Sequence, residues 1–152
     1  MRAEFIKATY TDYEQFLTQL GRAVEHLSSL LQSKSTWDTT EAIKVYKQLR
    51  QFGVKGAEEG IKKMLFLVYS KEESTVNAVV ETYEELYFSK QKTAIQKTKH
   101  LFELMNDATL TDITCIEELL KKFLNKGDVF DKEVFKQLWV SYAKIYEQRF
   151  TN

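Results

Sequence analysis

The sequence predicts an all-α fold, and three observations support this prediction. Its 152 residues include no proline and only five glycines, so few tight turns of the kind that join β-strands are expected. Leucine, lysine, glutamate, glutamine and alanine fill most positions between the aromatic residues, and all five favour helices. Apolar residues recur at three- and four-residue steps along nearly the whole chain, which is the period of an amphipathic helix.

The first predicted helix begins near Thr11 and extends for about 20 residues. Its expected apolar stripe consists of Tyr13, Phe16, Leu17, Leu20, Val24, Leu27 and Leu31. The second helix is expected to begin near Thr39, because Asp38 and Glu41 have the spacing of a capping box. Gly53 is expected to end it, since glycine tolerates the positive φ found after many helices.

Five more helices complete the predicted total of seven. Four of them are expected over residues 56–69, 74–88, 90–105 and 111–124. The seventh begins after Asp131, and its expected inner face includes Phe135, Leu138, Trp139 and Tyr142. Val134, Val140 and Phe150 fall outside that face, which suggests that a further repeat covers this end in a longer protein.

An internal repeat is predicted by an offset of 37 residues between alternate helices. This offset aligns Ala42 with Val79 and Ile116 in the first helix of each pair. In the second helix it aligns Leu65, Phe102 and Trp139. Two regular helical patterns could also align by chance, but six aligned triplets over both helices favour a true repeat. The predicted architecture is a right-handed α-solenoid of about three and a half HEAT-like hairpins, in a single domain over residues 1–152.

Composition and charge argue against several classes of function. The 22 basic and 22 acidic residues cancel, so the whole chain has no electrostatic signature of nucleic-acid binding. A single cysteine, Cys115, cannot form an internal disulfide, which favours a reducing compartment. Neither a signal peptide nor a membrane span is expected from the apolar runs, so the chain is predicted to be soluble, with no membrane partner.

No catalytic motif is found in the sequence, and we predict that the chain is not an enzyme. His26 and His100 lack the glutamate three residues earlier that di-iron bundles use, because Ala23 and Lys97 stand there. Cys115 is expected to be a small buried apolar residue on a helix. No cofactor, metal or small-molecule substrate is predicted.

Two surfaces are candidates for binding. Lys90, Lys92, Lys97 and Lys99 lie in a stretch without acidic residues, and on a helix they could contact the phosphates of double-stranded DNA. The alternative is an ordinary solvated helix face. Exposed aromatic residues are the second candidate, since solenoids often hold extended peptides through aromatic anchors. The expected anchors are Trp37, Tyr69 and Tyr87, with Tyr10 as a further exposed aromatic.

Several segments resemble the condensin subunit 1 family of HEAT-repeat proteins. The first block is Gln51-Phe52-Gly53-Val54, with Gly60 and Met64-Leu65 after it. It continues through the run from Val68 to Glu72 and through Val76, Ala78-Val79, Tyr83 and Leu86-Tyr87. The resemblance returns over Ile113 to Leu120, which includes the run from Cys115 to Leu120, and at Leu138-Trp139. Tyr69 stands where tryptophan is expected, and the prolines common in such repeats are missing.

This resemblance implies a regulatory, non-catalytic subunit of condensin that acts in mitotic chromosome condensation. Its implied partners are the kleisin and SMC subunits, and its implied location is the nucleus and chromosomes, with the cytoplasm possible outside mitosis. The full subunits are several times longer, which again implies a fragment. The alternatives are a HEAT or armadillo adaptor of another complex, such as a transport receptor, and a self-contained helical bundle that binds a small molecule.

Overall fold

A computed structural model describes residues 2–89, 92–106 and 108–150, without the side chains of residues 2, 3, 5, 25 and 145–150. These residues form seven α-helices and one short 3-10 helix, and no β-strand occurs among them. The helices are α1 (Arg2–Leu30), α2 (Thr36–Gln51), α3 (Ala57–Met64), the 3-10 helix η1 (Leu65–Tyr69), α4 (Glu73–Tyr87), α5 (Ala94–Asn106), α6 (Leu110–Lys126) and α7 (Lys132–Phe150). The predicted all-α class is confirmed.

The helix positions repeat with the predicted period. Helices α2, α4 and α6 begin at residues 36, 73 and 110, so consecutive starts differ by 37. Helices α3 and α5 begin at residues 57 and 94, again 37 apart, and α7 begins one residue late at 132. Ala42, Val79 and Ile116, which the period aligns, are all buried. The prediction of a helical repeat is therefore confirmed.

The chain divides into two compact units, residues 1–79 and residues 80–152. In the first unit, α2 packs against both α1 and α3. Tyr46 of α2 is fully buried, and its hydroxyl donates a hydrogen bond of 2.9 Å to the carbonyl oxygen of Val24 in α1. A Cβ atom at Gly60 of α3 would lie 1.9 Å from Cε1 of Tyr46, so glycine is what allows α3 to lie against that ring.

The second unit has an aromatic core. The rings of Phe88, Phe123 and Phe130 meet in edge-to-face contacts, with centroids 5.4 to 6.0 Å apart. This spacing is favourable for aromatic pairs beyond the area they bury. Helix α5 packs along α7 in the same unit. The prediction that one domain spans residues 1–152 stays a prediction.

Several helix boundaries differ from those that the sequence predicts. The largest difference is at α1, which begins at Arg2 rather than near Thr11. Local hydrogen bonds decide the starts of α2, α5 and α6. Helix α2 begins three residues before the predicted Thr39, since the hydroxyl of Ser35 accepts a hydrogen bond of 3.3 Å from the amide of Asp38. The predicted cap formed by Asp38 and Glu41 is wrong. Likewise α6 begins at Leu110, capped by Thr109 and Asp112. The backbone of α3 tightens into η1 at Leu65 rather than continuing as an α-helix to residue 69.

Helix α5 begins at Ala94, four residues later than predicted. The amide of Thr93 donates to the side-chain oxygen of Gln96 at 2.9 Å, and the amide of Gln96 donates to the hydroxyl of Thr93 at 3.3 Å. These reciprocal hydrogen bonds form a capping box, which marks the first turn of a helix. The predicted fifth helix therefore included residues that precede this cap.

The predicted inner faces are wrong at both ends of the chain. Tyr13 and Phe16 of α1, expected in the apolar stripe, are more than half exposed. In α7, Trp139 is 74% exposed although its repeat equivalent Leu65 is buried. Val134, expected outside the inner face, is buried instead. The repeat register thus describes the core of the middle helices but not the outer positions of α7, because none of the described residues cover them.

Candidate partner-binding surfaces

Lys97 is not part of a surface lysine cluster. Only 6% of the residue is exposed, and its Nζ donates a hydrogen bond of 2.7 Å to the carbonyl oxygen of Val129 in the α6–α7 connection. A charged ammonium is costly to bury unless it is hydrogen-bonded, and this carbonyl supplies such a bond. The prediction that Lys97 contacts DNA phosphates is therefore wrong for this structure.

The repeat period contains the signal that would have placed Lys97 correctly. An offset of 37 residues aligns Lys97 with Gly60 and Val134, and both of these residues are buried. Lys97 also precedes the buried Leu101 by one helical turn, so the two residues share a helix face. The charge of Lys97 predicts a surface position, whereas its position in the 37-residue repeat indicates the inner face of the helix.

The other lysines of the predicted cluster have separate environments. Nζ of Lys92 donates to the carbonyl oxygen of Leu86 and lies 3.3 Å from Nε2 of His100. Lys99 is exposed, and its ammonium lies 3.6 Å from a carboxylate oxygen of Glu103. Lys90 lies outside the described residues. Of the three lysines of the cluster that the structure describes, only Lys99 has a largely exposed side chain.

The predicted aromatic anchors divide in the same way. Trp37 is 72% exposed in the first turn of α2, and Tyr69 is 57% exposed at the end of η1. Tyr10 is also exposed, on α1. Tyr87 differs, because it is only partly exposed and its ring lies 5.6 Å from that of Tyr83 and 5.9 Å from that of His100. Tyr87 is therefore less exposed than expected, and its role as an anchor stays a prediction.

An aromatic surface on α7 was missed by the sequence-based assignment. Phe135, Trp139 and Tyr142 are each at least half exposed, and the rings of Trp139 and Tyr142 lie 6.2 Å apart. Residues spaced at three and four positions lie on one side of a helix, so these side chains form one patch. We call Phe135, Trp139 and Tyr142 the α7 aromatic patch. Its spacing suggested a buried stripe, and spacing alone does not distinguish a buried stripe from an exposed one.

Two grooves accompany these surfaces. In the first unit, a groove of about 570 Å³ lies between α1 and the α2–α3 connection, with Leu17, Gly21 and Val54 among its lining residues. In the second unit, a groove of about 350 Å³ lies between α5 and α7. The latter is lined by Ile95, Thr98, Lys99, Phe102, Gln137 and Ser141, and we call it the α5–α7 groove.

Two titratable side chains considered in the sequence analysis, Cys115 and His100, lie on α6 and α5. Cys115 is buried, and burial, together with the charge of Asp112, raises the pKa of its thiol, which disfavours the thiolate. His100 contacts Glu103 at 3.0 Å on the surface of α5. Across the described ranges, no group of three or more histidine, cysteine or acidic residues is placed to hold a metal ion. None of the described helices has both the length and the apolar character to cross a membrane.

Comparison with known proteins identifies relatives of one kind. Condensin complex subunit 1 of Homo sapiens is 30% identical over 144 residues, which cover 91% of this chain and 10% of that protein. The Xenopus laevis protein of the same name is 28% identical over 148 residues, covering 94% and 11%. The Saccharomyces cerevisiae protein is 28% identical over 153 residues, covering 93% and 13%.

No protein-family model matches the chain. The chain spans about a tenth of the length of these curated relatives, and the matched stretch includes nearly all of its helices. The resemblance predicted from the block between Gln51 and Phe88 is therefore confirmed. The sequence of this chain is therefore similar to one segment of condensin complex subunit 1.

Proposed function

We propose that this chain is a non-catalytic scaffold segment that works within the condensin complex, where it binds kleisin or SMC subunits. The observation that supports this most strongly is the similarity to condensin complex subunit 1 over more than nine tenths of the chain in three organisms. A helical repeat suits this role because stacked hairpins offer long surfaces to partners. We place the work of the chain in the nucleus and on chromosomes, in chromosome condensation, and the relatives give no support for a cytoplasmic pool.

The exposed aromatic residues support binding to a protein. Trp37 and the α7 aromatic patch are largely exposed in the described structure, and aromatic side chains often carry most of the binding energy of protein interfaces. The two surfaces belong to different units of the chain. Each is therefore proposed as a separate contact, to be tested by its own variant.

The test is a binding assay with purified condensin subunits. The immobilised chain is incubated with recombinant kleisin and, separately, with recombinant SMC heads, at low and at physiological salt. Retention of either subunit, reduced at least tenfold by Trp37→Ala or by Trp139→Ala, is the expected result. Retention of neither subunit at either salt concentration would contradict the proposal. A transport cargo applied in parallel, and retained in preference to both subunits, would instead favour an adaptor of another complex.

Double-stranded DNA is a second proposed partner, and Lys99 is the residue that now supports it best. Its side chain is 75% exposed, whereas the ammonium groups of Lys92 and Lys97 donate to backbone carbonyls. If Lys99 is the main phosphate contact of this stretch, the affinity for DNA should depend only weakly on salt. The logarithm of the affinity falls against the logarithm of the salt concentration with a slope of about one per phosphate contact. DNA retention that is unchanged in Lys99→Glu would exclude this site. The matched control is Lys121→Glu, which changes an exposed lysine on α6.

A further inference from the structure

The α5–α7 groove contains a buried polar group that its own chain does not satisfy. Thr98 lines this groove and is only 4% exposed. Its hydroxyl oxygen has no hydrogen-bond partner among the described residues. Buried hydroxyl groups nearly always have a partner, and leaving one without a partner destabilises the fold. Thr98 therefore requires an explanation.

Other threonines of this chain show what Thr98 lacks. On α1, the hydroxyls of Thr11 and Thr18 donate to the carbonyl oxygens four residues earlier, at 3.0 and 2.8 Å. This local bond is the usual way in which a helical threonine satisfies its hydroxyl. The repeat offers a second comparison. Ile61 stands 37 residues before Thr98 and is fully buried, and its side chain is entirely apolar. A hydroxyl at this position is not needed for packing.

The surroundings of Thr98 indicate the chemistry of an occupant. Ile95 is 66% exposed at the groove, and Phe102 is partly exposed beside it, so an apolar side chain would remove apolar surface from water. Of the described residues that line the groove, only Lys99 is charged, and its ammonium lies 3.6 Å from a carboxylate oxygen of Glu103. An acidic group would complement it, and Gln137 and Ser141 on α7 offer further polar contacts.

We propose that the α5–α7 groove binds a peptide segment of a partner protein, in which an apolar side chain stands next to an acidic residue. The apolar side chain lies against Ile95 and Phe102, the acidic residue pairs with Lys99, and a polar group of the segment bonds the hydroxyl of Thr98. Because that hydroxyl is closed off from water, the segment displaces a lining side chain as it binds. This inference rests on the proposed role as a protein scaffold and names the site and the recognised chemistry.

The experiment uses three synthetic peptide libraries. Each library has a fixed central leucine, flanked by glutamate, glutamine or lysine, and is applied to the immobilised 152-residue chain. We expect the glutamate library to be retained at least tenfold better than the lysine library. Retention of the two to the same extent, or of neither, would overturn the proposal.

Two variants then locate the binding site. Thr98→Val removes the hydroxyl and keeps the shape, so it should raise the thermal midpoint of the free chain and weaken binding of the glutamate library about fivefold, as the loss of one hydrogen bond predicts. Lys99→Glu should weaken the glutamate library at least fivefold and leave the glutamine library unchanged. Thr114→Val and Lys121→Glu, both exposed on α6, are the matched controls. If Thr98→Val lowers the midpoint, the hydroxyl has an internal role and the proposal is wrong.

The same variants separate this proposal from the broader function. If purified kleisin or SMC subunits bind the wild-type chain and bind Thr98→Val and Lys99→Glu with equal affinity, the groove is not their site and the scaffold function stands. If the glutamate library binds the groove while neither subunit is retained, the site is correct and the condensin role fails.

Discussion

Helices α2 and α7 have similar amphipathic patterns but very different burial. Helix α2 buries Thr39, Ala42, Ile43, Tyr46 and Leu49 against α1 and α3. Among the described side chains of α7, only Val134 is fully buried, and the α7 aromatic patch faces water. The difference shows that an apolar stripe becomes core only where a second element covers it. The four predictions below test this comparison through stability.

The largest effect is expected for Phe123→Ala. Phe123 is fully buried on α6, and its ring contacts those of Phe88 and Phe130 at 5.4 and 6.0 Å. Removing a buried phenylalanine leaves a cavity and should lower the free energy of unfolding by about 3–5 kcal/mol. Urea denaturation followed by circular dichroism would measure it. A loss below about 1 kcal/mol would show that the aromatic core of the second unit does not form in solution.

Gly60→Ala tests the close approach of α3 to α2. The new methyl group would overlap Cε1 of Tyr46, whose ring is enclosed and cannot move without disturbing the core. Replacing glycine by alanine in a helix gains about 1 kcal/mol of helix propensity. If the methyl group forces the ring of Tyr46 to shift, overpacking costs about 1–3 kcal/mol and outweighs that gain. We expect net destabilisation. The control is Gly21→Ala on α1, where a methyl group meets nothing within 4 Å and should stabilise the chain.

Because Tyr83 is buried, we expect the chain to lose stability at alkaline pH. Burial, followed by the nearby charges of Tyr87, Asp112 and Cys115, raises the pKa of Tyr83 well above its usual value of 10. The pKa of Tyr83 is higher in the folded chain than in the unfolded chain. The stability that Tyr83 contributes is therefore fully present below pH 10, and it is lost as pH rises through the folded pKa. The slope from one group is at most about 1.4 kcal/mol per pH unit. Denaturation at pH 9 and pH 11 should show a smaller decline in the free energy of unfolding for Tyr83→Phe than for wild type.

The smallest effect is expected for Trp139→Ala. At 74% exposure, Trp139 contributes little to the core, and its removal should change the free energy of unfolding by less than about 1 kcal/mol. The same denaturation assay measures this value beside that of Phe123→Ala. A cost of about 3 kcal/mol or more would mean that α7 is covered in solution, for example by a second copy of the chain. Dependence of that cost on protein concentration would identify self-association.

Much of the fold could be predicted from the sequence because helices are local structures. Seven helices, the 37-residue period and the end of α2 near Gly53 all follow from spacing within single turns or hairpins. Helix starts were harder, since Ser35 and Thr93 compete with neighbouring polar residues for the capping position. Only the hydrogen bonds of the folded backbone identify the residue that caps.

The candidate sites were predicted less well. Charge predicts an exposed position for Lys97 on a DNA-binding surface, yet Lys97 is buried and donates to the carbonyl oxygen of Val129. The position of Tyr87 at a helix end predicts an exposed anchor, yet its ring packs against those of Tyr83 and His100. Thr98 has no signature in the sequence, because a lone threonine in a helix forms no distinctive pattern. Each of these positions depends on contacts between residues that are distant in sequence.

The sequence by itself determined the helical class, the repeat period and the similarity to condensin complex subunit 1, because all three reside in the order and spacing of side chains. Only the tertiary structure decided which apolar stripes became core. Tyr46 is enclosed because α3 presents Gly60 to its ring, whereas Trp139 faces water because no described helix covers it. The free energy of burying an apolar side chain depends on the surface that meets it, and that surface belongs to another part of the chain.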